Sequence, residues 1–318
     1  MTDHASRAHA PRTSHETRTG QGNRAGHRTR AGHDAILVTG ATGNTGSRIV
    51  RRLTALGHPV RAAARRAPEL PGAQAVRFDW YDPATHDAAL RGAARIYLVP
   101  PVGATAPSAV MLPFLEGARA AGVRRAVLLS SSGIPAGGPM VGQVHAALPG
   151  LFEEWAVLRP SWFMQNFTDR HLHAESIRTH GIIRSATGAG RVGFIDADDI
   201  AAVAVRALTD EPPPPVHDLV LTGPQALSYD DIAATLTTVT GRPVHHRPLA
   251  YEELRDRLAA GIPAEFAALL AGLDRAIAGG AEDRVTDTVE RLTGRPPRSF
   301  RAFAEGHGRA AGNAEAGP

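Results

Sequence analysis

The chain has no cysteine and no lysine: among 318 residues, all 35 side chains counted as Lys+Arg are arginine. Without cysteine there is no disulfide, no thiolate nucleophile, no cysteine-ligated zinc and no iron–sulfur cluster, which fits an intracellular chain. Without lysine there is no P-loop lysine, no Schiff base and no Tyr-x-x-x-Lys pair to lower the pKa of a phenol. Arginine does not fill these roles, because it does not deprotonate in proteins. Long apolar runs are missing as well. None approaches the roughly 20 residues that cross a bilayer, and the N-terminus lacks the apolar block of a signal peptide, so a cytoplasmic location without membrane contact is expected.

Large apolar side chains are almost absent from residues 1–33, so this segment cannot offset the entropy of ordering and reads as a disordered tail. Its six arginines, set against Asp3 and Glu16, account for the whole formal charge of +4, which leaves the rest of the chain neutral. The tail has no aromatic interleaving and no groove-reading motif, so it reads as a solvated extension and no nucleic-acid partner is expected.

What the chain does have is 43% hydrophobic residues, enough for a sizeable core, and one informative stretch. In Ile36-Leu37-Val38-Thr39-Gly40-Ala41-Thr42-Gly43-Asn44-Thr45-Gly46, an apolar run empties into three glycines spaced by two residues. Ile36 to Val38 has the continuous apolar character of a buried parallel strand. Ile49, Val50, Leu53 and Leu56 then recur at helical spacing up to Gly57. Gly40 would allow the tight turn, Gly43 a close backbone approach, and Gly46 the packing of helix on strand. Strand, triplet and helix together read as a cradle for a dinucleotide pyrophosphate, held on the free N–H groups and positive end of the helix. The bland alternative is a strand-to-helix turn without ligand.

Short apolar runs and helical stretches continue to alternate. Strands are expected at 60–64, 75–78, 95–99, 126–130 and 156–158, and a helix over 108–121. The expected architecture is α/β, a doubly wound parallel Rossmann-type sheet with a smaller, mainly helical C-terminal substrate part. The sheet domain is expected over 34–160 and again over about 197–223. The smaller part would take 161–196 and 224–305, followed by a flexible C-terminus at 306–318. Pro212 to Pro215 marks a linker before a last strand at about 219–221. Ser228-Tyr229-Asp230-Asp231 reads as a capping box that opens a helix to about Thr240, with further helices over 252–273 and 286–292.

At the end of the second strand, where an acidic residue favours NAD, stands Ala63-Ala64-Arg65-Arg66. Two guanidiniums and no carboxylate favour the 2′-phosphate of NADP(H), with NAD(H) or a merely solvated loop as alternatives. Asp79 follows the third strand, where a loop commonly borders adenine; it also suits an ordinary turn. Asp196, Asp198 and Asp199 resemble a cation site but precede the helical run 200–208, where carboxylates cap free N–H groups. His245-His246 has no paired ligand at a metal spacing, so no metal is expected.

These residues together resemble the NmrA-like, atypical short-chain dehydrogenase/reductase family. The resemblance rests on Thr39 to Gly46, Tyr97-Leu98-Val99-Pro100-Pro101, Leu128 to Ser132, Leu158-Arg159-Pro160-Ser161-Trp162-Phe163-Met164-Gln165-Asn166-Phe167, and Leu221 to Pro224. It covers nearly everything but the tail. The stretch from Leu158 is similar in particular to the branch with festuclavine/agroclavine-type dehydrogenases and NAD(P)H-dependent quinone or azo reductases. The resemblance implies that Gly40, Thr42, Asn44 and Thr45 line the pyrophosphate and that Arg65 meets the ribose phosphate. It also implies that Val99, Pro100, Pro101, Ser130 and Ser131 border the nicotinamide, with Pro160, Trp162 and Phe163 beside nicotinamide and substrate. Asn166 and the aromatic Phe167 join Trp162 and Phe163 as candidate substrate contacts, the aromatics being equally suited to a core.

The chain departs from the short-chain dehydrogenase pattern in lacking the lysine, and Tyr81, Tyr97, Tyr229 and Tyr251 fall outside the helix expected after Ser132. His145 is the titratable candidate there, as a proton donor or as a residue packed on the helix. A reductase of small conjugated electrophiles is therefore expected. The alternative is an NmrA-like regulator that senses NAD(P) without turnover.

Overall fold

The computed structural model describes residues 34–67 and 69–315, so the basic segment 1–33 lies outside the described residues. The chain runs β1 (Ala35–Thr39), α1 (Asn44–Ala55), β2 (Val60–Ala64), β3 (Ala73–Arg77), α2 (His86–Leu90), β4 (Ala93–Leu98), α3 (Ser108–Ala120), β5 (Arg125–Leu129), α4 (Gly142–Leu151) and β6 (Glu154–Pro160). It continues through α5 (Leu172–His180), β7 (Ile182–Ser185), β8 (Arg191–Val192), α6 (Ala197–Thr209), β9 (Asp218–Leu221), β10 (Leu227–Ser228) and α7 (Tyr229–Thr240). The last elements are β11 (His245–Pro248), α8 (Tyr251–Ala259), α9 (Ala264–Ala278), α10 (Thr288–Thr293) and α11 (Phe300–Glu315).

Seven strands form one parallel sheet in the order β3-β2-β1-β4-β5-β6-β9. The period of two along β1 divides its burial between two cores. Ile36 and Val38 pack with Ile49, Val50 and Leu53 of α1 and Ile200, Val203 and Leu208 of α6. Leu37 faces the other way, with Met111, Phe114 and Leu115 of α3 and Val144 and Leu148 of α4. Covering helices on both faces are what a parallel sheet requires, and they explain the uninterrupted apolar runs of its strands. From β1 the strand order runs outward to β3 on one side and from β4 to β9 on the other. The reversal opens a crevice at the carboxyl ends of β1 and β4, the place where open α/β sheets bind ligands.

A third core joins the segments beyond β6: Phe167, Ile183, Phe194, Tyr229, Ile232, Phe300 and Phe303. Here β7 pairs with β11 and β8 with β10. No strong periodicity in the sequence marks α5 or these short strands, although His171 caps α5 at its start and Gly181 ends it in the left-handed region. The single helix expected over 252–273 is two, α8 and α9, separated by Gly261-Ile262-Pro263. Proline disfavours the helical conformation of the residue before it, and Pro263 itself is the N-cap of α9. The stretch from 306 that the sequence suggested as flexible continues α11 as far as Glu315. The capping box is present: Ser228 Oγ accepts from Asp231 N at 3.1 Å while Asp231 Oδ2 accepts from Ser228 N at 2.9 Å.

Candidate functional site

The carboxyl ends of the strands carry most of the residues singled out in the sequence. Gly40 ends β1 with φ +61°, and a Cβ there would lie 2.9 Å from Val99 Cβ at the end of β4. A Cβ on Gly46 would run into the Gly40 carbonyl oxygen, and one on Gly43 would stand 3.3 Å from it, so the turn closes only with glycines at 40 and 46. Thr39 Oγ1 joins the two strands by donating to Tyr97 O at 3.1 Å and accepting from Val99 N at 2.8 Å. Tyr97 Oη donates to Thr45 Oγ1 at 3.1 Å, and burial pushes this phenol above its ordinary range. Tyr97 therefore stays protonated and anchors the first turn of α1.

The N-terminus of α1 has no side-chain cap and no acidic residue in its first turn. Its first N–H groups have no intrahelical acceptors, which leaves an open end suited to an anion. Across the β2 edge, Arg65 and Arg66 are exposed and have no carboxylate partner among the described residues. Asp79 Oδ1 accepts from Tyr81 N at 3.0 Å and its carbonyl meets His86 Nε2 at 2.9 Å, so this side chain shapes the loop after β3. Further along, Ser130 Oγ is buried without a hydrogen-bond partner. An unpaired buried hydroxyl is costly unless a ligand completes it. Pro100 and Pro101 are half-buried after β4, and Ser131 is half-buried beside Ser130.

Ser132 is occupied elsewhere. Its hydroxyl donates to Glu282 Oε2 at 2.8 Å, and its carbonyl accepts from Arg159 at 2.7 Å and from Arg284 at 3.4 Å. These bonds fix the loop after β5 against the segment after α9. A Cβ on Gly133 would sit 3.9 Å from Leu273 Cδ2, so α9 reaches the same strand ends.

Beyond Pro160, a cavity of about 580 Å³ opens between Trp162, Asn166, α5, β7, α8 and α9. Trp162 and Asn166 line it; Phe163 packs on the sheet core and bridges to Ile195 instead. Phe167 is 3% exposed, edge-on to Phe194, Tyr229 and Phe300, and belongs to the third core, so it is not a surface for substrate. Its helical neighbourhood gave no sequence signal to separate these two uses of an aromatic. The cavity walls also carry residues that the sequence reading did not select, among them His173, Arg184, Tyr229, Arg257 and Asp274. Arg184 and Asp274 come from elements far apart in sequence, and no motif connects them. Burial pushes the Asp274 carboxyl up to about 6, opposed by the hydrogen bond its Oδ2 accepts from Ala186 N at 2.8 Å. Burial, with His171 and His246 nearby, takes His173 down to about 3, so it is neutral.

His145 is buried on α4. Its ring lies 6.2 Å from that of Trp155, near the amino end of β6, and its Nδ1 is buried without a partner. Burial holds its pKa below the ordinary imidazole range, with Asp218 and then Arg159 acting in opposite directions. A neutral imidazole in that position has the features of a packed residue. The aspartate cluster is structural too: Asp196 Oδ1 accepts from Asp198 N at 3.0 Å and from Gln165 Nε2 at 2.8 Å, Asp198 pairs with Arg48 and Arg52, and Asp199 with Arg295. His246 Nε2 bonds the Ser185 hydroxyl at 2.8 Å.

A family model described as NAD(P)H-binding matches residues 40–211. An uncharacterized oxidoreductase, YesF, of Bacillus subtilis (strain 168) is 48% identical over 273 residues, 86% of this chain and 94% of that protein. An agroclavine dehydrogenase of Claviceps fusiformis is 39% identical over 280 residues, covering 84% and 95%. Among solved structures, an NADPH-dependent quinone oxidoreductase of Escherichia coli, complexed with NADPH, superposes with a TM-score of 0.69 over 85% of this chain and 99% of that one, at 23% identity. That last likeness is one of fold.

Proposed function

Because the chain belongs to the NAD(P)H-binding oxidoreductases of the NmrA-like, atypical short-chain dehydrogenase/reductase family, we propose that it reduces a small conjugated electrophile of the quinone, azo or iminium type with NADPH. The strand ends fit the dinucleotide: glycines where a Cβ would collide, an uncapped helix end, and, among the described residues, a Ser130 hydroxyl without a hydrogen-bond partner and guanidiniums at Arg65 and Arg66 without a carboxylate partner. When bound, the reduced nicotinamide supplies a hydride.

The chain's own residues then have limited tasks. Backbone N–H groups from Asn44 to Gly46 hold the pyrophosphate, the Gly43 N–H being used by Gly40 O at 2.9 Å, and Thr42, Asn44 and Thr45 border it. Arg65 and Arg66 fork the ribose phosphate, and the absence of a carboxylate beside them favours NADPH over NADH. Asp79 shapes the loop on the adenine side. Val99, Pro100, Pro101, Ser130, Ser131 and Pro160 wall the nicotinamide, and Trp162 and Asn166 open onto the acceptor's cavity.

The observation that carries the choice of acceptor is the missing tyrosine–lysine pair. There is no lysine, α4 holds no tyrosine, and Tyr97 and Tyr229 are buried with their pKa pushed up. Reducing a ketone needs a positioned acid, a contribution of roughly 10² to 10⁴ in rate. A conjugated acceptor is already electrophilic, and proximity and orientation supply the rate. A quinone that takes up hydride becomes a hydroquinone anion and gains its proton from water.

Consumption of NADPH with a panel of quinones, azo dyes and cyclic iminium salts tests this reading. Turnover of at least one class, with simple ketones inert, is the expected result. Tight NADPH binding without turnover of any acceptor would overturn it and leave a cofactor-sensing protein.

A further inference from the structure

The cavity has a charge pattern that its apolar lining does not explain. Leu254, Leu258, Phe266 and Leu270 form an apolar wall, while Arg184 of β7 and Arg257 of α8 stand on the same cavity. Arg184 is also directly in register with Arg247 of β11. Like charges opposite one another across strands repel. Burial, and then the proximity of Arg257 and Arg247, draws the pKa of Arg184 down. Ser176 Oγ accepts from Arg184 Nη1 at 2.6 Å, which orients the guanidinium without neutralising it. Among the described residues no carboxylate forms an ion pair with any of these three arginines. On the same helix as Arg257, by contrast, Arg255 meets Asp256 at 2.7 Å.

The acids of the cavity do not compensate this cluster. Glu175 of α5 lies on the wall outside ion-pair distance, and Asp274 of α9 is turned to the Ala186 N–H. Burial lowers His171 and His173 and keeps these two neutral, so they do not add to it.

We propose that the Arg184–Arg257 end of the cavity, with Arg247 behind Arg184, is a subsite for an anionic substituent, a sulfonate or carboxylate, carried on an aromatic body that fills the apolar remainder. A guanidinium held in place binds such a planar or tetrahedral oxyanion through paired N–H donors. An anion there relieves the repulsion of Arg184 by Arg257 and Arg247, whereas a cationic acceptor of iminium type adds to it. The subsite thus narrows the proposed acceptors to anionic quinones and azo compounds. Its description as an acceptor subsite rests on the reductase reading; its preference for aromatic anions does not.

Titration calorimetry on the full chain with naphthalene-2-sulfonate and with uncharged 2-naphthol tests the subsite directly. The sulfonate is expected to bind about tenfold more tightly, with an affinity that falls as sodium chloride is added. Arg184→Gln and Arg257→Gln should each reduce the sulfonate-to-naphthol preference severalfold. Arg257 is exposed, so its variant keeps the test decisive if Arg184→Gln does not fold. Equal affinities in the unaltered protein, or an unchanged preference in the variants, would overturn the proposal. So would inorganic sulfate competing as strongly as the naphthalene sulfonate. Turnover of 1,2-naphthoquinone and its 4-sulfonate separates the two readings. If neither is reduced while the binding preference holds, the reductase reading alone fails; if the neutral quinone turns over and no preference exists, the subsite alone fails.

Discussion

At the scale of single residues, the proposed contact of the exposed Arg65 with the ribose phosphate makes cofactor choice a matter of charge. Arg65→Asp should weaken NADPH by one to two orders of magnitude, from the roughly 1.5–3 kcal/mol of a hydrogen bond to a charged group, and NADH far less. Fluorescence titration with both cofactors checks this, and equal weakening would refute the phosphate contact. Asp274 offers a second prediction, because its folded pKa of about 6 lies above the ordinary carboxylate value. A raised acid pKa stabilises the fold only while the group is protonated, so this contribution is lost as pH rises from about 4 to 6. Asp274→Asn should therefore gain stability relative to the unaltered chain across that window and hold the gain above it. The limit is about 3 kcal/mol, at about 1.4 kcal/mol for each tenfold change in acidity. Thermal unfolding as a function of pH measures it, and a gain that shrinks with rising pH would be the wrong sign. Neither the position of Asp274 nor that of Arg184 was legible in the sequence. An arginine or aspartate in a loosely patterned segment looks the same whether it faces water or a cavity.

At the scale of elements, caps and turns were the most legible features. The apolar run before Gly40, the helical spacing after Gly46 and the Ser228–Asp231 box are local signals, and the structure contains each where the sequence put it. Asp196 shows how such a cap gains weight from its surroundings. It caps α6 and also takes the buried Gln165 amide and Arg298. Asp196→Ala should cost about 2–4 kcal/mol, a lost N-cap plus a buried amide left unpaired. Urea unfolding would register this as a lower midpoint at unchanged slope. Less legible were α5, β7 and β11. These elements are short, and their stability comes from the aromatic core around Phe167, Phe194 and Tyr229 and not from a strong pattern of their own. The break between α8 and α9 was signalled by Gly261 and Pro263, but helical periodicity on either side masked it.

At the scale of the molecule, the sheet and its crevice should respond to the cofactor as a unit. Ligand that binds only the folded state stabilises it by mass action, about 2.7 kcal/mol at a hundredfold excess over Kd. NADPH at that excess should raise the unfolding midpoint by several degrees for a chain of this length, and NADH at equal concentration should raise it less. A scan without a shift would contradict the site. The sequence by itself determined the parallel sheet, the glycine turn, the arginine-marked strand end and the lack of a tyrosine–lysine pair, because each depends on neighbours within a few residues or on composition. Tertiary structure alone decided that Phe167 is core, that His145 is buried beside Trp155, and that Arg184 lies near both Arg257 and Arg247. Those outcomes depend on which segments pack together over long separations, and no local periodicity encodes that choice.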